Sequence, residues 1–458
     1  AARWRSGKPL SFLPELRELK ESLLYKYLPA PDFRTEKPRE DVLRLVATVS
    51  QLLEKKLNST NRRDAILAEF LHELEDNPDG VREAIEDYNF VYAATTQQAV
   101  GKDIIRSKNK NVRYDQRTEM QMLKYDTVII DEAARTSPRD LLIPMAQAEK
   151  RIILVGDHRQ LPHLIDEEVA RALEGDASSG QSVNIDFVKK SMFEYLFNRL
   201  KRLEEKDGIK RTVTLDAQYR THPLLGNFAS SNFYDKYNEG YRSPLDAKYF
   251  SQRLTGIEDK AAVWIDVPNS DGKEQRLDSG SRRRDVEAKV IAEYVSKWIN
   301  SAAGAGLSFG VISFYRGQVL AVYEALQKYN ITERTQDGAW QICQEYRFLE
   351  KGEERLRIGT VDAFQGMEFD IVFLSMVRSQ DTNALPPHIR GEENYSKKQQ
   401  KLFGHLMSEN RLCVSMSRQK KVLAIVGDGV LVNTQIAKDA VPALKNFYDL
   451  CHKQGVIL

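Results

Sequence analysis

Short, uninterrupted apolar runs, each ending in polar residues, constrain this chain more than any other feature. Phe90-Val91-Tyr92-Ala93-Ala94, Thr127-Val128-Ile129-Ile130 and Arg151-Ile152-Ile153-Leu154-Val155 form a first set. Ala262-Val263-Trp264-Ile265, Gly310-Val311-Ile312-Ser313, Ile371-Val372-Phe373-Leu374 and Val422-Leu423-Ala424-Ile425-Val426 form a second. A strand with one wet face alternates apolar and polar residues, whereas a strand covered on both faces reads as a continuous apolar run. Separated by helical stretches, such runs predict parallel sheets, here as two α/β domains in series over residues 87–210 and 211–458. Ligands of open α/β sheets bind beyond the carboxyl ends of the strands, so the polar residues that follow each run are where a site is expected.

The rest of the chain reads differently. Over residues 1–86, Leu13, Leu16, Leu19, Leu23 and Leu24 recur at helical spacing, as do Val42, Leu45, Val49, Leu52 and Leu53. Pro29, Pro31 and Pro38 interrupt them, giving a helical N-terminal insertion or stalk. The Gly-, Ser- and Asp-rich segment 166–190 and the charged stretch 379–404 read as surface insertions. No run approaches the ~20 apolar residues that span a bilayer, so no membrane role is expected. A net charge of +2 announces no nucleic-acid partner by bulk charge, and any basic track must be local. Three scattered cysteines (Cys343, Cys413, Cys451) lack metal-ligand spacing and fit a reducing, intracellular setting, cytoplasmic or nuclear. The chain opens on Ala rather than Met, so the lack of a leader carries little weight.

Two run ends carry chemistry. After Thr127–Ile130 come Asp131-Glu132-Ala133-Ala134, adjacent carboxylates that can face Mg²⁺ and an attacking water respectively. Mg²⁺ of nucleotide enzymes takes one or two carboxylates together with phosphate and water, so Asp131 is the candidate metal ligand. After Arg151–Val155 come Gly156-Asp157-His158-Arg159-Gln160-Leu161-Pro162. There Gly permits a sharp turn, and the Gln160 amide can both donate and accept beside a terminal phosphate.

Together these segments resemble the Walker B and sensor motifs of superfamily 1 helicases, in the branch that contains the nonsense-mediated-decay helicase and senataxin. Four further motifs follow in the family's order. Gln218-Tyr219-Arg220-Thr221-His222-Pro223 resembles Gln-Tyr-Arg-Met-His-Pro, and Gly310-Val311-Ile312-Ser313-Phe314-Tyr315-Arg316-Gly317-Gln318 resembles Gly-Val-Ile-Thr-Pro-Tyr-x-x-Gln. Thr360-Val361-Asp362-Ala363-Phe364-Gln365-Gly366-Met367-Glu368 matches a second-domain motif almost throughout. Arg411-Leu412-Cys413-Val414-Ser415-Met416-Ser417-Arg418 resembles Arg-Leu-Asn-Val-Ala-Leu-Thr-Arg. The resemblance runs from about Asn89 to Asp428.

The resemblance implies two RecA-like parallel-sheet domains with ATP and Mg²⁺ between them, and single-stranded DNA or RNA as partner. It implies that Asp131 and Glu132 serve the metal and the water, with Gln160 beside the γ-phosphate. Arg220 and Arg418 would be arginine fingers, a role worth ~10³–10⁵ in rate where it occurs. Taken singly, each reads equally as a surface ion pair. Tyr219 and Glu368 would line the nucleotide's base and its sugar or phosphate side, and Gln365 and Gly366 would approach the phosphates. Tyr219 also reads as a packed aromatic. Thr95, Thr96, Ser313 and Thr360 would grip backbone phosphates, although any single Ser or Thr reads as well as a helix cap. Movement 5′→3′ is implied by the family and by no spacing in the sequence.

The chain departs from the pattern in one large respect. No Gly-x-x-x-x-Gly-Lys-[Ser/Thr] occurs. Ser6-Gly7-Lys8-Pro9 and Val100-Gly101-Lys102-Asp103 lack the first Gly and the hydroxyl that a phosphate loop needs. A missing N-terminal portion or a protein partner would have to supply it. Smaller departures are Cys413 for Asn, Phe314 for Pro and Met367 for Arg. Two functions therefore stand: an ATP-dependent helicase or translocase, and a non-catalytic nucleic-acid clamp without its own phosphate loop.

Overall fold

A computed structural model describes residues 13–26, 40–60, 62–88, 90–101, 112–115, 120–162, 191–381 and 394–458. Pro29, Pro31 and Pro38, the Ser6-Gly7-Lys8-Pro9 stretch, the segment 166–190 and the central part of 379–404 lie outside them. The chain divides into two units, Ala1–Ala93 and Ala94–Leu458.

The first unit is helical: α1 (Leu13–Lys26), α2 (Glu40–Thr60), α3 (Arg62–Asp76) and α4 (Pro78–Tyr88). Glu40 and Asp41 sit in the first turn of α2, where the helix dipole favours negative charge. Asn77 Oδ1 accepts from Gly80 N at 3.0 Å and caps α4, with Pro78 in the first helical position. Of the leucines and valines read from the sequence, Leu16, Leu19 and Leu23 on α1 and Val42, Leu45, Val49, Leu52 and Leu53 on α2 are exposed.

Among its described residues the second unit holds five sheets, three of them short antiparallel pairs and two of them parallel. Strands β1 (Tyr125–Ile130) and β2 (Ala148–Leu154) pair in parallel, joined by α5 (Pro138–Met145). Ser137 caps α5, accepting from Asp140 N at 3.2 Å. Helix α6 (Met192–Asp207) follows and ends on Gly208, whose φ of 70° supplies the left-handed C-cap.

Beyond α7 (Pro223–Ala229) comes a six-stranded sheet. Its strands are β3 (Ala262–Asp266), β4 (Phe309–Ser313), β5 (Leu356–Thr360), β6 (Phe369–Ser375), β7 (Gln419–Gly427) and β8 (Val456–Ile457), in the order β5-β4-β6-β7-β3-β8. Every pairing is parallel. Strand alternation sends Trp264, Ile312, Leu374 and Ile425 to one face, against Phe228 of α7, Leu412 of α11 (Glu409–Ser415) and Phe447 of α12 (Pro442–Lys453). Val263, Val311, Phe373 and Ala424 face the other side, against Ile291 and Trp298 of α8 (Asp285–Ile299) and Val322 of α9 (Arg316–Gln327). Both faces are covered, which is why the runs read as continuously apolar.

Two readings change. Phe90–Ala94 forms no strand among the described residues, and Phe90 and Val91 are 89% and 86% exposed. An apolar run becomes a buried strand only beside pairing partners, and none of the described strands pairs with it. The stretch 379–404 is more than a surface insertion, because its described end forms a helix, α10 (Tyr395–Phe403), with Phe403 fully buried. Charges on the outer face of α10 mask the apolar side that joins the core. No described helix is long and apolar enough to cross a membrane.

Candidate functional site

The site starts at the carboxyl ends of β1 and β2. The chain leaves β1 through Asp131 and Glu132, both exposed, with Asp131 Oδ1 accepting from Glu132 N at 2.9 Å. Glu132 has φ 51°, the left-handed region that costs a non-glycine residue of order 1 kcal/mol or more. Ala133 N donates to Val155 O at 2.9 Å, drawing this turn against the segment after β2. The two backbones touch closely: a Cβ on Gly156 would stand 2.9 Å from Ala134 N. Gly156 and the small, buried Ala133 and Ala134 are therefore what brings the carboxylate turn beside the loop that carries Gln160.

That loop is gripped by the elements of the six-stranded region. Leu161 is buried in the core that includes Leu225 and Phe228. Asp157 Oδ2 accepts from Tyr234 Oη at 2.6 Å and from Gln160 Nε2 at 2.8 Å. Arg159 pairs with the buried Glu239 through two bonds of 2.9 and 3.2 Å and lies over the Tyr237 ring, 3.4 Å from its centroid. His158 stands 3.6 Å from the same carboxylate and packs on Phe197. Burial, and then the Arg159 charge, hold the His158 imidazole below its ordinary pKa. Asn410 of α11 donates to the carbonyls of His158, Arg159 and Gln160 at 3.3, 3.0 and 2.7 Å.

The two arginines come from the other side. Arg418 follows α11 and is almost fully buried; its guanidinium donates to Gln160 Oε1 at 3.2 Å, Ser417 Oγ at 2.9 Å and Val414 O at 3.1 Å. Burial lowers its pKa, the nearby Arg220 charge lowers it further, and Cys413, Tyr234 and Glu132 act in the opposite sense. Glu132, Arg220 and Arg418 thus share one electrostatic neighbourhood. Arg220 Nε lies 2.8 Å from Glu368 Oε2, and Lys420 Nζ lies 2.9 Å from Glu368 Oε1. Partial burial pushes the Glu368 carboxyl up, but Lys420 and Arg220 outweigh it and its pKa falls below the ordinary value.

The turn that presents Arg220 is built by Gln218. Its Oε1 accepts from the backbone N of Arg220 and of Thr221, each at 2.9 Å, while Nε2 donates to Thr221 O at 3.0 Å and Ser243 Oγ at 2.8 Å. The quoted motifs include Gln218 and Asp157 without tasks, and Asn410 lies outside them. For Gln218 and Asp157 the signal was a buriable polar side chain next to a candidate catalytic residue. Asn410 had no signal.

The structure gathers Glu132, Gln160, Arg220, Arg418 and Glu368, with Asp131 on the same turn as Glu132. Tyr219 adjoins Arg220 and is 64% exposed, so it is not a packed core aromatic in this chain. Gln365 Oε1 is buried without a hydrogen-bond partner. Gly366 has φ 78° with open space where a Cβ would point. Ser313 and Thr360 are register partners at the carboxyl ends of β4 and β5. Ser313 Oγ accepts from Tyr315 N at 3.3 Å. Thr95 Oγ1 accepts from Gln98 N at 3.2 Å, and Thr96 lies between Thr95 and the short 3-10 turn Gln98–Val100. Among the described residues no group of three or more His, Cys, Asp or Glu could hold a metal ion. A Mg²⁺ that arrives with a nucleotide needs less, one or two carboxylates and phosphate oxygens, and the exposed Asp131 suffices for that share.

A family model described as AAA domain matches residues 188–430, just over half the chain, and a second of the same description matches residues 32–168. The chain is 26% identical over 310 residues to helicase sen1 of Schizosaccharomyces pombe, covering 67% of this chain and 15% of that protein. It is 26% identical over 315 residues to the regulator of nonsense transcripts 1 homolog of Neurospora crassa, covering 68% and 23%. With the ATP-dependent helicase NAM7 of Saccharomyces cerevisiae it shares 27% identity over 311 residues, covering 67% and 25%. The matched region is thus at most a quarter of the length of these three relatives. Among solved structures, an Arterivirus nonstructural protein 10 (helicase) in complex with DNA aligns at 14% identity and a TM-score of 0.27, covering 67% of this chain and 41% of that one.

Proposed function

We infer from the family to which this chain belongs, the superfamily 1 helicases in the branch of the nonsense-mediated-decay helicase and senataxin, that it is the motor portion of an ATP-dependent helicase or translocase. It acts on single-stranded DNA or RNA and moves 5′→3′, as the family resemblance implies. The observation that carries this reading is the hydrogen bond from Arg418 to Gln160, whose loop packs against the turn that carries Asp131 and Glu132.

In this reading Asp131 would hold Mg²⁺, which when bound would neutralise charge on phosphate oxygens. Glu132 orients and deprotonates the attacking water, and Gln160 holds that water or the γ-phosphate through its amide. Arg220 and Arg418 neutralise the charge that develops on the transferring phosphoryl group. Both guanidiniums already have acceptors in the chain, Glu368 for Arg220 and Gln160 for Arg418, and they exchange these for phosphate oxygens when nucleotide binds. The unpartnered Gln365 Oε1 and the open backbone at Gly366 suit a ligand edge approaching from that side, and the exposed Tyr219 suits stacking on a base. Ser313 and Thr360, adjacent at two strand ends, and Thr95 and Thr96 serve the nucleic-acid backbone, which a translocating motor must hold without reading sequence. This reading requires a phosphate loop, and no Gly-x-x-x-x-Gly-Lys-[Ser/Thr] occurs within these 458 residues.

The test is ATP turnover by the intact protein with and without single-stranded DNA or RNA, using Glu132→Gln as control. The expected result is polymer-stimulated turnover that the variant abolishes while still binding ATP. A wild-type protein that binds single strands but never turns over ATP would instead establish the non-catalytic clamp. Turnover unchanged in Glu132→Gln would remove that residue from its role.

A further inference from the structure

We propose that Asn410 is a positioning residue for ATP turnover: its side-chain amide holds the Gln160 loop in register with Arg418. This rests on the function proposed above and adds a residue outside the quoted motifs.

Three consecutive carbonyls, those of His158, Arg159 and Gln160, converge on the single Nδ2 of Asn410, the shortest contact being 2.7 Å to Gln160 O. A side-chain amide has only two hydrogens, so at least one is shared. Three carbonyl dipoles aimed at one point repel one another unless a donor sits there, so the bend of the loop depends on this amide.

Other contacts place the loop as a whole: Leu161 in the core and Arg159 on Glu239. Neither sets the orientation of Gln160. Its side chain is tied at both ends, Nε2 to Asp157 at 2.8 Å and Oε1 to Arg418 at 3.2 Å. That geometry holds only while the backbone at residue 160 stays where Asn410 puts it. Asn410 sits in the first turn of α11 and Arg418 just beyond its end, so one short segment grips the loop's backbone and the Gln160 side chain together. A shift of that segment therefore moves Gln160 and Arg418 as a pair.

The experiment measures nucleic-acid-stimulated ATP turnover of the intact protein for Asn410→Ala, Asn410→Asp, Gln160→Ala and the double variant Asn410→Ala/Gln160→Ala. Loss of the amide is expected to lower kcat about 10- to 100-fold, the scale of an ångström-sized misplacement, and to leave the KM for ATP within about twofold. Asn410→Asp keeps the shape and turns the donor into an acceptor facing three carbonyls, so it should fall at least as far. In the Gln160→Ala background, Asn410→Ala should cost nothing more. An equal fold-loss in both backgrounds would mean that Asn410 merely supports the fold, and full activity of Asn410→Asp would overturn the proposal outright.

If the wild-type protein shows no stimulated turnover, the functional reading fails, and backbone hydrogen exchange decides the clamp on its own. Amides of residues 157–161 should then exchange at least about tenfold faster in Asn410→Ala while those of β6 stay unchanged. Unaltered exchange at 157–161 would leave Asn410 with no positioning role.

Discussion

The six-stranded region and the two-stranded region start from the same kind of sequence and end in opposite environments. Trp264 and Ile312 of the larger sheet are fully buried, whereas Ile129 of β1 is 66% exposed and Ile153 of β2 is 43% exposed. The larger sheet has helices on both faces and neighbours for every interior strand. The smaller one has a single pairing among the described residues. Burial is therefore a property of what surrounds a run, not of the run, and two strands alone are marginal in water. Yet the carboxylates and Gln160 sit at the ends of the smaller sheet. The well-packed region supplies the arginines and, through Tyr234, Glu239 and Asn410, the grip that holds the Gln160 loop.

The comparison can be broken at its seam. Arg418→Ala should lower polymer-stimulated turnover by about 10³-fold or more while weakening single-strand binding far less. Arg418→Lys, which keeps charge but loses the planar fork, should recover only part of it. Steady-state kinetics beside a filter-binding titration reads both quantities, and binding lost with turnover intact would put the arginine on the wrong side of the seam.

Stability offers the next test. Trp264→Ala removes a fully buried ring and should cost roughly 3–5 kcal/mol by urea denaturation, while Ile153→Ala on the exposed sheet should cost under about 1 kcal/mol. Equal costs would mean that β2 is covered in solution and the contrast is false.

The smallest effect comes from acid. Burial lowers the pKa of His158, His222 and His405 from 6.5, so the unfolded chain takes up protons that the folded chain refuses. Their contribution is complete above pH 6.5 and is lost as the pH falls through the lowered folded values. His222 Nδ1 accepts from Leu224 N at 3.1 Å, a cap that protonation at that nitrogen removes. The unfolding midpoint should decline below pH 6.5, less steeply in His222→Asn. A midpoint that rises on acidification would reverse the sign of the argument.

Much of this was legible before any coordinates. The continuous runs at 262–265, 310–313, 371–374 and 422–426 announced strands covered on both faces, and all four lie in the six-stranded sheet. The run at 90–94 misled because periodicity reports what a segment could bury and not whether anything lies beside it. In 379–404, charge count hid Phe403 because one apolar side of a helix suffices to join a core.

The motifs named Asp131, Glu132, Gln160, Arg220 and Arg418, since each chemical task demands a side chain of one type at the end of a strand or turn. Amino-acid order alone thus determined the parallel α/β class and proposed a set of reactive groups, because hydrophobic period and residue chemistry are local. Only the tertiary structure decided that Glu368 and Gln160 hold the two arginines, that Gln218 shapes the Arg220 turn, and that Asn410 reaches three carbonyls some 250 residues away in the chain. Hydrogen bonds and ion pairs act over a few ångströms, and folding alone sets which distant groups come that close.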